Sequence, residues 1–100
     1  MNSYLAIIKE VTKKNPNAII LDGLDEAIIG MSESSNPIFL YSREICIAIS
    51  MRDNDWDYET AVEFLEFNTF NTYYGNYSPK FIYEFTENDG NEKISNGLVE

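Results

Sequence analysis

Apolar residues at the start of the chain recur with helical spacing. Tyr4, Ile7, Ile8 and Val11 fall at i, i+3, i+4 and i+7, with Lys9, Glu10, Lys13 and Lys14 opposite them. This predicts an amphipathic helix beginning near Asn2 or Ser3. Two lysines in its last turn suit the negative end of the helix dipole, and Asn15-Pro16 stops it, because a residue before proline is pushed out of the helical region. "NAIILDG" follows, a β-branched run closed by Asp-Gly, and reads as a strand. "AIIGMSE" reads as a second strand, with "GLDE" as the turn between them, and "PIFLYS" as a third. Short strands joined by tight polar turns predict an antiparallel meander.

Ser42 then stands as a helix cap ahead of "REICIAISMR", in which Ile45, Cys46, Ile47, Ala48, Ile49 and Met51 are apolar almost all round. That pattern predicts a helix set in the core. Cys46 reads as packing, since burial raises a thiol's pKa and no histidine exists to activate it. Asp57 is the predicted N-cap of the next helix, whose stripe is Tyr58, Ala61, Val62 and Leu65, widened by Phe64. At helical pitch Glu59, Glu63 and Glu66 lie within about 60° of one another, on an edge facing away from that stripe. "NTFNTYYGNYS" is a loop, and "PKFIYEF" a fourth strand with Phe81, Tyr83 and Phe85 at period two. Phe64, Phe81, Tyr83 and Phe85 are assigned to the core or its margin, and Tyr73, Tyr74 and Tyr77 to exposed contacts.

The expected architecture is an α+β fold of order α-β-β-β-α-α-β. An antiparallel sheet of three to four strands is packed on one face by two to three helices. One domain spans residues 1–85, and residues 86–100 form a polar acidic tail expected to be partly mobile. A chain of 100 residues with 44% hydrophobic and 24% charged residues has the composition of a single soluble globule. The lone cysteine forms no internal disulfide, "MNSYLAIIKEVTKK" lacks the pattern of a secretory signal, and "AIIL", "IFLY" and "ICIAI" are too short for a membrane span. A cytoplasmic protein is expected.

Charge changes the picture most. There are 17 acids against 7 bases. Residues 1–43 carry five acids and four bases, while residues 44–100 carry twelve acids and three bases, so a net of −9 falls on the second part. Such a molecule is repelled by nucleic acid and anionic lipid and is steered toward cationic protein surfaces. The plainer reading is that acidity only keeps a small protein soluble.

Most chemistry is disfavoured. Asp53, Asp55 and Asp57 at alternate positions invite a calcium loop, which needs glycine at its sixth position and a bidentate glutamate at its twelfth. Counting from Asp53 those positions are Tyr58 and Phe64. With no histidine, no phosphate-binding glycine loop and no Gly-x-Ser-x-Gly turn, an enzyme is not expected, nor is a cofactor or metal. Asp22, Asp25 and Glu26 sit at an expected turn, where aspartate is favoured for backbone reasons. Between Trp56 and Phe85 eleven aromatic residues accompany one base, Lys80, which suits protein contacts and not a nucleic-acid groove.

Four segments, "DGLDEAIIG", "PIFLYSREICI", "RDNDWDYETAVEFLEFNT" and "YYGNYSP", resemble a group of small acidic proteins encoded by bacteriophages and prophages. The resemblance covers about residues 18–83 and runs through Asp22, Gly23, Asp25, Ala27 and Gly30, then Tyr41 and Cys46, then Arg52 and Asp53, then Tyr58, Glu59, Ala61, Glu63, Phe67 and Asn68, then Gly75 and Pro79. Where that group often has a short Arg-Asp-Gly-Met turn, this chain has the longer "RDNDWDYE", which lacks the glycine. The resemblance implies a phage accessory protein acting in a bacterial cytoplasm, with no cofactor and no established activity.

The functional expectation is a non-enzymatic protein that binds, and inhibits, a host or defence protein through an acidic face mimicking nucleic acid. Asp53, Asp55, Glu59, Glu63 and Glu66 are its candidate contacts, with Tyr73, Tyr74 and Tyr77 as aromatic anchors and a nucleic-acid-handling protein with a basic surface as the partner. The alternatives are a protein that sequesters a small ligand or nucleotide, and a homodimeric structural partner using the aromatic loop.

Overall fold

The computed structural model describes residues 3–85, so the expected tail over residues 86–100 lies outside the described residues. Helix α1 is Ser3–Lys14, strand β1 Ile28–Met31, strand β2 Phe39–Ser42, helix α2 Arg43–Asn54, helix α3 Tyr58–Leu65 and strand β3 Lys80–Ile82. A 3₁₀ turn at Asp25–Ala27 precedes β1, and a π-helical segment, Glu66–Phe70, continues α3. The fold is α+β: three helices and a three-stranded sheet among the described residues.

The stripe of α1 meets the core through Val11, which is fully buried, with Tyr4, Ile7 and Ile8 at its margin. Asn15 does more than end this helix. It is buried, and its Nδ2 donates to the Pro37 carbonyl at 2.9 Å, tying the end of α1 to the β1–β2 connection. Burying an amide this deeply is tolerable because its hydrogen bonds are met.

The first expected strand, "NAIILDG", forms no sheet ladder. Its backbone donors go elsewhere: Ile19 N–H to the Tyr77 carbonyl at 3.2 Å and Leu21 N–H to the Tyr41 hydroxyl at 2.7 Å. The segment carries Leu21 into the core by leaning on side chains and a loop. Its apolar, β-branched content is that of a strand, but acceptors outside any ladder satisfy its amides.

β1 and β2 pair antiparallel, with Met31 opposite Phe39 and an irregularity between Ile28 and Gly30. Ser32 closes the connection, its amide donating to the Ile38 carbonyl at 3.0 Å and its hydroxyl accepting from Ile38 N–H at 2.9 Å. β2 is central and almost wholly buried, through Phe39, Tyr41 and Ser42. The fully antiparallel sheet does not hold: β3 lies parallel to β2, with Tyr41 opposite Phe81, so the sheet is mixed. A parallel pair requires a long crossover, and residues 43–79 supply it through α2, α3 and the π segment.

α2 sits in the core as its sequence predicts, burying Cys46, Ile47, Ile49 and Ser50 between β2, the Asp25–Ala27 turn and α3. The Ser42 hydroxyl caps it by accepting from Ile45 N–H at 3.2 Å. Its far end closes on Asp55 at φ 57°, the left-handed position glycine usually takes. Aspartate is among the few other residues that tolerate this conformation. No helix among the described residues is long and apolar enough to cross a membrane.

Candidate functional site

The three alternate aspartates that precede α3 have three separate local roles. Asp53 Oδ1 accepts from Arg52 Nε at 2.8 Å, and this contact holds its carboxyl below the usual aspartate range. The same Arg52 reaches back to Glu26 Oε1 at 3.0 Å, joining the end of α2 to the turn before β1. Asp55 is the left-handed closure of α2. Asp57 is the N-cap of α3: Thr60 donates to it from its side chain and from its backbone N–H, the latter at 2.9 Å, which lowers its pKa. No group of three or more carboxylate or thiol side chains among the described residues is placed to hold a metal ion.

One edge of α3 carries the glutamates together. Glu59, Glu63 and Glu66 are exposed and line an open groove with Tyr58 and Val62. Asp53 is not part of it; it lines a different depression with Asp22, Ile49 and Leu65. Among the described residues, Glu59, Glu63 and Glu66 thus share one groove, whose lining does not include Asp53 or Asp55. Tyr58, placed by its periodicity in the buried stripe, is 48% exposed. Its hydroxyl donates to Glu44 Oε2 at 2.9 Å, which raises its pKa and spans from α3 to the first turn of α2.

The carboxylates of this edge are not equivalent. Glu66 is held by Arg43, whose Nη2 lies 2.9 Å from Glu66 Oε2. The Arg43 guanidinium is itself stacked: its Cζ lies 4.5 Å from the centre of the Phe70 ring and 5.2 Å from that of Tyr83. This arginine has a side chain only 15% exposed, and it ties α2, the π segment and the residues after β3 into one cluster. Glu59 and Glu63 have no ion pair among the described residues.

The tyrosine loop divides similarly. Tyr73 is exposed, its hydroxyl donating to Asn76 Oδ1 at 3.3 Å. Tyr74 packs against the core, and Tyr77 is half-buried with its carbonyl engaged by Ile19. Of the three, only Tyr73 stands out into solvent. Phe81 is half-buried as expected, whereas Tyr83 and Phe85, assigned to the core margin, are 63% and 60% exposed.

A further set of aromatic side chains lies along α3. Trp56 packs on Phe64 with ring centres 5.0 Å apart, and Phe67 is 85% exposed. With Thr60, Glu63 and Asn68, these three rings line a second open groove along α3, and Glu63 belongs to both grooves. Phe67, Phe70 and Arg43 are not among the contacts expected from the sequence. The signal available was spacing: Glu63–Phe67 and Glu66–Phe70 are each four residues apart, the interval that brings helical side chains together.

Cys46 takes no part in this surface. It is fully buried, and burial pushes its thiol up to about 12, so it holds its proton at neutral pH. Tyr41 is likewise buried and, although its hydrogen bond to Leu21 acts the other way, is pushed up to about 12. No family model matches this chain, and no curated protein or solved structure matches it.

Proposed function

We propose that this is a non-enzymatic accessory protein of phage origin, acting in the bacterial cytoplasm, that binds and inhibits a host or defence protein through the acidic edge of α3. The observation that carries the reading is the shared groove of Glu59, Glu63 and Glu66, with Tyr58 and Val62 between them. Carboxylates at helical intervals beside apolar side chains offer a basic protein both charge and contact area. A net charge of −10 steers such a partner to the molecule. A nucleic-acid-handling protein, whose own site is cationic, has the complementary chemistry. Asp53 and Asp55 contribute to the field of the molecule and not to the groove.

The test is a pull-down from bacterial lysate over a salt series, with the wild type beside a folded Glu59→Lys, Glu63→Lys, Glu66→Lys triple variant. The expected result is a partner retained by the wild type, released as salt rises, and missed by the variant, because the attraction is Coulombic and screened. A partner held equally by both proteins, or indifferent to salt, overturns the acidic-edge reading and moves the contact to the loop carrying Tyr73.

A further inference from the structure

The protein already contains one worked example of how it holds a guanidinium. Glu66 and Phe70, four residues apart, grip Arg43 between a carboxylate 2.9 Å away and a ring face 4.5 Å away. One turn earlier, Glu63 and Phe67 repeat the same pair at the same interval. Here the ring is 85% exposed and the carboxylate has no ion pair among the described residues, yet both line one groove with Trp56 and Phe64. An exposed aromatic patch beside a carboxylate has the chemistry to take a cation: the ring faces are negative, and the carboxylate fixes where the charge sits.

We propose that the groove of Trp56, Glu63, Phe64 and Phe67 receives an arginine side chain from the partner protein. The inference rests on the acidic-edge reading above and specifies which cation that edge selects. Arginine fits better than lysine because the planar guanidinium lies flat on a ring while still hydrogen-bonding a carboxylate, and it is more weakly hydrated than an ammonium. A second copy of this chain is a poor donor. Its two arginines are already engaged, Arg43 by Glu66 and the aromatic rings, Arg52 by Asp53 and Glu26.

The experiment uses the full chain and two synthetic peptides of equal charge, one alternating four arginines with glycine, the other four lysines with glycine. Affinity is measured by calorimetry at low salt. Trp56, the single tryptophan of the chain, reports by fluorescence whether the peptide reaches this groove. The arginine peptide is expected to bind roughly two- to five-fold tighter than the lysine peptide, the factor that stacking on exposed rings supplies, and to change Trp56 emission. Phe67→Ala, which alters no charge, is expected to erase that preference while leaving lysine-peptide binding in place, and Glu63→Gln to weaken both.

Equal affinity for the two peptides, a preference that survives Phe67→Ala, or tight arginine binding with silent Trp56 each overturns the arginine groove. In the first of these cases, loss of both peptides in the triple lysine variant would leave the acidic edge standing as a general cation surface. Failure of both peptides to bind overturns both readings.

Discussion

Helices α2 and α3 follow one another in the chain and pack side by side, but they solve different problems. α2 buries Cys46, Ile47, Ile49 and Ser50. α3 buries only Ala61 and Leu65, and leaves Tyr58 and Phe64 at 48% and 44% exposure. The helix with the cleaner amphipathic stripe is the less buried of the two. Burial follows what surrounds a helix: α2 is packed by β2, the Asp25–Ala27 turn and α3, whereas α3 meets chiefly α2 and the π segment it runs into. α2 is thus enclosed by its neighbours, and α3 keeps an uncovered side, the one that the proposed function assigns to a partner.

That contrast can be broken at several points. The largest effect is expected from Ile47→Ala, which opens a cavity in the best-packed part of α2 and costs about 2–5 kcal/mol by denaturant unfolding. A cost below ~1 kcal/mol would show that α2 is no better packed than α3. Tyr41→Phe comes next. It keeps the buried ring and removes the acceptor of Leu21 N–H, with an expected loss of about 1–3 kcal/mol.

An alkaline titration probes the same side of the molecule. Cys46 and Tyr41 both hold their protons more tightly when folded, so the unfolded chain ionises first as pH rises. The stability they contribute is whole below their ordinary values of 9.0 and 10.0 and is lost between those values and about 12. Each group lowers stability by at most about 1.4 kcal/mol per pH unit across its window. Tyr41→Phe should confine the loss to the lower-lying thiol window. Stability flat to pH 11 would show that neither group is shielded from water.

Smaller still is the loss of a cap. Ser42→Ala is expected to cost about 1 kcal/mol, because the first turn of α2 loses the acceptor of Ile45 N–H at a buried position. The smallest effect belongs to α3: Phe67→Ala should change unfolding by less than about 0.5 kcal/mol, since the ring is 85% exposed. A large destabilisation there would mean that Phe67 serves the fold, and the contrast between the two helices would fail.

Much of this was legible in the residue pattern. The buried face of α1, the core placement of α2, the Ser42 and Asp57 caps, the solvent edge of Glu59, Glu63 and Glu66, and the α+β class all follow from local periodicity and capping chemistry. Tyr58 escaped its predicted burial because its hydroxyl finds Glu44 at the surface. Tyr74 escaped its predicted exposure because the loop around it folds back onto the core.

By itself the sequence determined what short-range physics can fix: which segments coil, where they begin, and which side chains share a face of a helix. Only the tertiary structure decided that β3 runs parallel to β2, since strand direction is set by the path of the crossover and not by the strand's own residues. Tertiary packing also decided that "NAIILDG" spends its amides on Tyr77 and Tyr41 in place of a ladder. It split the acidic run as well. Arg43 and Arg52, each reaching a carboxylate more than twenty residues away, hold Glu66 and Glu26 and leave Glu59 and Glu63 without an ion pair among the described residues. Charge along a chain is a local property, but which charges remain open to a partner depends on contacts that only folding makes.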